Sequence, residues 1–345
     1  MAAIARTCPY YLFILHSFPL ISLIIPTYNR EAVLRQTLES ALQQDYPVFE
    51  VIVVDQTVRH EPETEAYLQE LAIAQKIRLF AVEWASLPGA RNYGVRRSRG
   101  DIIVFVDDDV VLPPGFLAAH GRHYERPEIA AVAGRVFDRM KLEDDPSLRI
   151  EDLPPAAMNP SIAWYHLDLV HTVKPQQVLT ARGCNMSFRR SLFEQHWFDE
   201  RFRGSAVREE SDFCLRLRQT GQIIWYDPEA NLVHLGEETG GCHDLSTRSL
   251  QYQITFYHNH FLMGFKNLTP PQALRFFTKL FDCHVLGHPP CYKSGSPVKV
   301  LTRGSFYVLG SLSALYSQFR ALWNDGQRYS HQDPLFNRLS DRPPG

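Results

Sequence analysis

The sequence predicts an α/β fold in which a doubly wound, mostly parallel sheet carries helices on both faces. Three observations support this prediction. The chain has 345 residues, of which 45% are hydrophobic, and this suffices for a large buried core. Short apolar runs alternate with amphipathic patterns, as in parallel sheets connected by helices. Several of these runs end abruptly in a polar or acidic residue, at the position where such sheets bind ligands.

The first third of the chain contains the regular alternation. Strands are predicted over residues 20–25, 51–54, 77–82 and 102–106. Helices are predicted over residues 31–44, 65–76 and 90–97. Each strand is a short run rich in Ile, Leu or Val, and the helical segments place apolar residues at a spacing of three and four. This order predicts successive strand–helix units.

The alternation weakens after residue 115. Strands are predicted over residues 130–137, 177–181, 223–226 and 232–234, with a loop over 143–160 and a helix over 208–220. Apolar residues recur at helical spacing from Val308 to Trp323. They predict a helix near 306–323 that packs on the rest of the protein or, as the alternative, lies on a membrane surface. We expect residues 237–345 to be mainly helical.

Charge and cysteine content limit the function classes. With 36 Lys+Arg against 38 Asp+Glu, the net charge of −2 offers no global basic field, so we expect no nucleic-acid partner. Six cysteines without a C-x-x-C pair are too sparse for a disulfide framework and favour a reducing compartment, so we expect a cytoplasmic protein. The apolar run over 10–25 is interrupted by His16, Ser17 and Pro19 and is a poor membrane span.

Acidic residues follow two of the predicted strands. Asp55 ends the second strand, and Asp107, Asp108 and Asp109 end the fourth. The carboxyl ends of parallel strands meet at one edge of a sheet, so these groups should lie on the same rim as residues 26–29. Three adjacent carboxylates repel one another unless a hard divalent cation neutralises them. We therefore favour a metal site over the alternative of a solvated acidic loop.

Five motifs, in order, resemble the family 2 glycosyltransferases with the GT-A fold. They are IIPTYNR (24–30), VIVVD (51–55), GARNYG (89–94), RGDIIVFVDDD (99–109) and REESDFCLRLR (208–218). The resemblance covers residues 20–236. It implies a Rossmann-like catalytic domain, with a nucleotide-binding half over 20–115 and an acceptor half over 116–236, preceded by an extension over 1–19. It also implies inverting transfer of a sugar from a nucleotide sugar, for which we expect a UDP-sugar.

The same resemblance implies roles for individual residues. Pro26, Thr27 and Tyr28 would flank the nucleotide base and ribose, Asp55 would bond the base, Arg91 would lie near the diphosphate, and Asn185 would bond sugar hydroxyls. Asp109 would bind Mn2+ or Mg2+, Asp107 would contact the metal or the ribose, and Asp108 is the alternative. His234 would be an additional metal ligand, with a packed or hydrogen-bonded histidine as the competing interpretation. For Arg91, an exposed helix charge is the competing interpretation.

A second acidic cluster, Glu209-Glu210-Ser211-Asp212, departs from the Glu-Asp-x-Asp of the family. The resemblance implies that one of these carboxylates deprotonates the acceptor hydroxyl. We expect Glu210 to be this base, with Glu209 and Asp212 as alternatives. Acids in a first helical turn also compensate the helix dipole, which is the competing structural explanation.

Several motifs that are typical of other enzyme classes are missing from the sequence. The sequence contains no G-x-G-x-x-G, G-K-[ST], H-E-x-x-H or G-x-S-x-G, so dinucleotide-binding, P-loop, zincin and serine hydrolase sites lack their essential parts. The Gln-x-x-Arg-Trp signature of processive synthases is also absent, which favours transfer of a single sugar to a glycan or lipid-linked acceptor. A nucleotidyltransferase and a non-catalytic sugar-nucleotide-binding protein remain the alternatives.

Overall fold

The computed structural model describes residues 18–138, 174–241, 249–288 and 295–323. The predicted loop over 143–160 and most of the N-terminal extension lie outside these ranges. The first strands are β1 (Ile21–Thr27), β2 (Phe49–Asp55), β3 (Arg78–Ala81), β4 (Ile102–Val106) and the short β5 (Val110–Val111). The helices between them are α1 (Ala32–Leu42), α2 (Pro62–Ile73) and α3 (Leu87–Arg97). The predicted alternation of the first third is confirmed.

Local sequence explains where the helices begin. Pro62 is the first residue of α2, a position where its missing N–H leaves no hydrogen bond unmade. Ser86 caps α3, because its hydroxyl accepts the backbone N–H of Gly89 at 3.2 Å. Strands β1 and β4 are buried along their whole length, which explains their continuous apolar sequences.

The second part of the chain adds α4 (Phe116–Gly121), β6 (Ile129–Asp138), β7 (Gln176–Val178), β8 (Asn185–Arg189), α5 (Glu209–Gln219) and β9 (Ile223–His234). Strand β8 was not predicted. It pairs antiparallel with β4 and β6 and so joins the two parts of the sheet. The two strands predicted over 223–226 and 232–234 are one strand, β9, whose pairing with β6 shifts register between Gly134 and Arg135.

These strands form one mixed sheet of nine strands, in the order β3-β2-β1-β4-β8-β6-β9-β5, with β7 beside β9. Strands β1 to β4 are mutually parallel. Alternate residues of each buried strand face two different apolar clusters: Ile25 and Val53 pack with α1 and α2 on one side, and Ile24 and Val54 pack with α3 and α5 on the other. The predicted coverage of both faces by helices is therefore confirmed.

The C-terminal region is helical, as predicted. It contains α6 (Leu250–Asn267), α7 (Pro270–Leu280), a short π-helical turn (Phe281–Leu286) and α8 (Pro297–Trp323). The last helix begins about two turns before the predicted residue 306. Residues of these helices share an apolar cluster with Phe202, Ala206 and Leu215 of the sheet-bearing part. Among the residues that the structure describes, no helix is both long and apolar enough to span a bilayer.

Candidate active site

Three aspartates at the end of β4 occupy different environments. Asp107 is partly exposed, whereas Asp108 and Asp109 are buried. Possible metal-ligating atoms of Asp107, Asp109 and His234 all lie within 4.8 Å of one another. His234 is brought there by the antiparallel pairing of β9 with β5, in which it lies opposite Val110. Carboxylate ligands suit Mn2+ and Mg2+, so the two aspartates of this group fit the predicted cation.

Asp108 is not part of this group of ligands. One carboxylate oxygen accepts a hydrogen bond from the backbone N–H of Tyr28 at 3.3 Å, and the other accepts one from Nε of Arg30 at 3.3 Å. Burial raises the pKa of Asp108 to about 7, although the charge of Arg30 opposes the increase. The predicted alternative in which Asp108 binds the metal is corrected on geometry, because its carboxylate holds the backbone at the end of β1.

Asp109 remains ionised for a different reason. Burial alone would raise its pKa, but the hydrogen bond and charge of His234, 3.3 Å away, together with Arg30, lower it. The backbone N–H of Glu237 also donates to Asp109, at 3.1 Å. Asp109 thus presents a carboxylate rather than a carboxylic acid, which is the form that binds a cation.

Arg30 is a site residue that sequence reasoning missed. Its guanidinium contacts the carboxylates of Asp108 and Asp109 and donates to the carbonyls of Glu237, at 3.1 Å, and Thr239. Arg30 therefore holds the segment after β9, residues 235–241, against the aspartates at the end of β4. The signal in the sequence was the arginine directly after the PTYN turn, followed much later by two adjacent glycines.

Those two glycines allow the segment to approach closely. Gly240 has φ +72°, and a Cβ there would lie 1.8 Å from the carbonyl oxygen of Asn29. The N–H of Gly241 donates to the carbonyl of Tyr28 at 2.7 Å. Only glycine satisfies both the positive φ and the close approach of the backbone.

The ends of β1 and β2 lie side by side. Thr27 is opposite Asp55 in the parallel register. Pro26 and Thr27 are buried and Tyr28 is half-buried. One oxygen of Asp55 accepts the N–H of Thr57 at 2.9 Å, and the other lies 3.0 Å from Nε2 of His60. A nucleotide base would have to share this carboxylate with His60, a residue that the sequence analysis did not predict for the site.

Arg91 connects the two acidic clusters. It is 1% exposed, so the interpretation as an exposed helix charge is wrong. Its Nη2 lies 3.5 Å from Asp107 and 3.0 Å from the carbonyl of Gly183, and its Nη1 forms an ion pair with Glu209. A Cβ on Gly183 would come within 2.8 Å of this guanidinium. The start of α5 and the end of β4 are therefore both in contact with the guanidinium of Arg91.

The carboxylates at the start of α5 have separate partners. Glu209 is fully buried against Arg91. Asp212 is also fully buried and accepts hydrogen bonds from Arg216, Lys266 and Asn267. Glu210 is half-buried, and its carboxylate accepts the hydroxyl of Ser211 at 3.1 Å. The alternatives that Glu209 or Asp212 is the base are therefore corrected, because neither carboxylate is accessible to an acceptor. Glu210 remains the predicted base.

Asn185 is fully buried beneath the site. Its Oδ1 lies 2.9 Å from Nε2 of His120, and its Nδ2 donates to the carbonyls of Arg135 and Ala230 at 2.8 and 2.9 Å. These bonds connect β8 to β6 and β9. Burial lowers the pKa of His120 to about 4, so its ring is neutral. The predicted contact of Asn185 with sugar hydroxyls is corrected, because its amide has no exposed atom.

Comparison with known proteins identifies one protein family and relatives that include the two described next. The family model described as Glycosyl transferase family 2 matches residues 22–197. An uncharacterized glycosyltransferase of Rickettsia bellii is 37% identical over 97 residues, which are 28% of this chain and 14% of that protein. The O-antigen biosynthesis protein RfbC of Myxococcus xanthus is 26% identical over 234 residues, which are 63% of this chain and 17% of that protein. The chain thus spans less than a fifth of either relative.

Two solved structures are similar in fold. The mannosyltransferase PcManGT from Pyrobaculum calidifontis, in complex with GDP-Man and Mn2+, has a TM-score of 0.52 at 19% identity, covering 94% of this chain and 85% of that one. Staphylococcus aureus TarS has a TM-score of 0.50 at 16% identity, covering 76% of this chain and 43% of that one. At these identities the likeness concerns the fold alone, and it confirms the predicted GT-A type.

Proposed function

This chain belongs to glycosyl transferase family 2, and on that premise we propose that it is a metal-dependent, inverting glycosyltransferase. It moves one sugar from a nucleotide sugar to a hydroxyl of a glycan or lipid-linked acceptor, in cell-surface polysaccharide synthesis within the cytoplasm. The observation that supports this most directly is the Arg91 bridge, which brings Asp107 of the acidic β4 end and Glu209 of the α5 start onto one guanidinium.

The donor half of the proposal concerns the ends of β1, β2 and β4. Pro26, Thr27, Tyr28 and Asp55 border the space for the nucleoside, and Asp107, Asp109 and His234 would hold Mn2+ or Mg2+. A cation bound there supplies Lewis-acid stabilisation for the charge on the departing diphosphate. A UDP-sugar is our first choice of donor. GDP-mannose is the second to assay, because it is the ligand named for the Pyrobaculum calidifontis neighbour.

The acceptor half concerns α5. Glu210 takes the proton from the acceptor hydroxyl while that oxygen forms its bond to the anomeric carbon. The bond from this carbon to the diphosphate oxygen breaks on the opposite face, so the anomeric configuration inverts. Glu210 is the suitable base because it alone among the three carboxylates of this turn is accessible. The ion pair between Glu209 and Arg91 fixes the helix end from which Glu210 projects.

Release of nucleoside diphosphate tests the proposal. The protein would be incubated with Mn2+ and a panel of UDP-sugars and GDP-mannose, and hydrolysis or transfer would be measured for the wild type and for Glu210→Gln. Loss of a general base lowers turnover by about 10²–10⁴-fold. Glu194→Gln, the same change at an exposed position of the described chain, should retain wild-type turnover.

Other outcomes separate the alternatives. Release of pyrophosphate instead of nucleoside diphosphate would identify a nucleotidyltransferase. Mn2+-dependent binding of a nucleotide sugar without turnover would identify a binding protein. Unchanged turnover in Glu210→Gln would reject this residue as the base while leaving the family assignment intact.

A further inference from the structure

Helix α8 has one face that packs on the protein and another that faces solvent. Its inner face is close-packed: Ala314 is fully buried, and a Cβ on Gly310 would lie 2.4 Å from the Cβ of Tyr257. Its outer face exposes large apolar side chains to 48–73% of their area. They are Val298, Leu301, Val308, Leu309, Leu312, Leu315, Tyr316 and Phe319. Eight such residues on one helix face form a contiguous apolar patch, which typically marks an interaction site.

The spacing of the patch is that of a coiled coil. Positions 298, 305, 312 and 319 repeat every seven residues, and positions 301, 308 and 315 repeat in the same way between them. We call these seven positions the α8 seam; each is apolar except Ser305. Alternating steps of three and four give a mean period of 3.5, which keeps an apolar seam facing a partner helix.

The central part of α8 carries no charge. A helix that lies on lipid usually carries Lys and Arg along the flanks of its apolar face. Residues 304–319 contain no Lys, Arg, Asp or Glu, and the exposed basic residues of α8, Lys299 and Arg320, lie near its two ends. Arg303 donates to the carbonyl of Val285 at 2.9 Å and thus points toward the protein. A face without charge of either sign matches a second face of the same composition, since pairing two copies creates no like-charge repulsion.

The area and the shape of the seam also fit a second copy. A large apolar side chain contributes on the order of 100 Å². At the observed exposures the patch offers roughly 500 Å² per copy, so a pair reaches the ~1,000 Å² expected of a specific interface. Among the seven seam positions the one small residue, Ser305, lies in the first half, and the second half consists of Leu312, Leu315 and Phe319.

We propose that the α8 seam pairs antiparallel with the same helix of a second copy, which makes the protein a homodimer. With the two-fold axis crossing the seam at the height of residue 310, Ser305 lies opposite Leu315 of the second copy, and Val308 lies opposite Leu312. The small Ser305 of one helix then meets the large Leu315 of the other, as interdigitating packing requires. This pairing does not depend on the sugar-transfer function.

Sedimentation velocity on the full chain tests the dimer. The wild type should show twice the chain mass of 39.7 kDa. Leu312→Glu combined with Leu315→Glu should raise the dissociation constant at least ~100-fold, because carboxylates would be buried without partners. Leu274→Glu on α7, where Leu274 is also highly exposed, is the matched control and should remain dimeric.

Three results would overturn the proposal. One is a monomeric wild type at micromolar concentrations, and another is a seam variant that stays dimeric. The third is a monomeric wild type that floats with phosphatidylglycerol–phosphatidylcholine vesicles while the seam variant does not, which would assign the face to lipid. Circular dichroism of each variant verifies that it is folded, and Leu315→Ser, a smaller polar change, should also weaken the dimer if the double variant fails to fold.

Oxidative crosslinking tests the orientation. Ser305→Cys combined with Leu315→Cys in one chain should give an intermolecular disulfide, whereas either single variant and the wild type should give none under the same oxidation. A crosslink in Ser305→Cys alone would show a parallel pair and overturn the antiparallel arrangement, because positions 305 of two antiparallel helices lie about 15 Å apart along the axis.

Discussion

The ion pair between Glu209 and Arg91 allows stability and catalysis to be separated at adjacent positions. In Glu209→Gln the side chain keeps its volume but loses its charge. Both side chains of the pair are 1% exposed, so water does not screen them. Removing one member of a buried pair typically costs 3–5 kcal/mol. Arg91 keeps its contacts with Asp107 and Gly183, so we expect the lower limit, about 3 kcal/mol.

Urea unfolding followed by circular dichroism measures this change. Glu210→Gln is the matched control: it is the same chemical change one residue further along the same turn, at a half-buried carboxylate. It should alter the unfolding free energy by less than about 0.5 kcal/mol while abolishing most turnover. If Glu209→Gln unfolds at the wild-type urea concentration, the bridge does not contribute to stability and the argument for how α5 is positioned fails.

Three further predictions concern His120, Gly134 and the metal site. The pKa of His120 is lowered by burial from 6.5 to about 4, so the unfolded chain binds its proton first and stability falls as the pH drops from 6.5 towards 4. At pH 5 the loss from this group is about 2 kcal/mol, and the decrease in unfolding free energy between pH 7 and pH 5 should be smaller by that amount in His120→Gln. An equal decrease in both proteins would contradict the buried neutral ring. Gly134→Ala places a Cβ 2.1 Å from the carbonyl oxygen of Ala230 and should destabilise the folded protein by about 3 kcal/mol. Gly115→Ala, where a Cβ would meet nothing within 4 Å, should leave the melting temperature within about a degree of wild type. Equal melting temperatures of the two variants would show that the sheet relaxes around position 134. Mn2+ at a hundredfold excess over its dissociation constant should stabilise the wild type by about 2.7 kcal/mol, which is measured as the shift in melting temperature with and without the ion. Asp109→Asn should lose this shift. A full Mn2+ shift in the variant would show that the cation binds elsewhere.

The sequence predicted the edge of the site because the signals there are local. A buried strand is a short apolar run, and its end is visible where the run stops, as at Asp55 and Asp107. Parallel order then brings these ends together without any knowledge of side-chain contacts. Strand β8 gave no such signal. Its five residues, NMSFR, mix polar and apolar side chains. Met186 and Phe188 pack in an apolar cluster on one face, whereas Ser187 bonds the buried His120 on the other, and neither contact is visible in the sequence.

The roles of the carboxylates in α5 could not be separated from the sequence. Glu209, Glu210 and Asp212 occupy one helical turn, and helix-dipole compensation would place acids at any of these positions. Their partners come from distant parts of the chain: Arg91 from α3 and Lys266 from α6. The same holds for Arg30, which meets Asp108 across 78 positions. Periodicity reports neighbours along the chain, so contacts of this separation become visible only in three dimensions.

Lys266 has a consequence for anyone who shortens this protein. Its ammonium lies between the buried carboxylates of Asp199 and Asp212, and it holds the pKa of Asp199 well below the usual range despite burial. A fragment that stops after β9 would lack this lysine, and Asp199 and Asp212 would keep only Arg201 and Arg216 as their respective counter-charges. Recombinant fragments of the sheet alone should therefore be less stable than fragments that extend through α6.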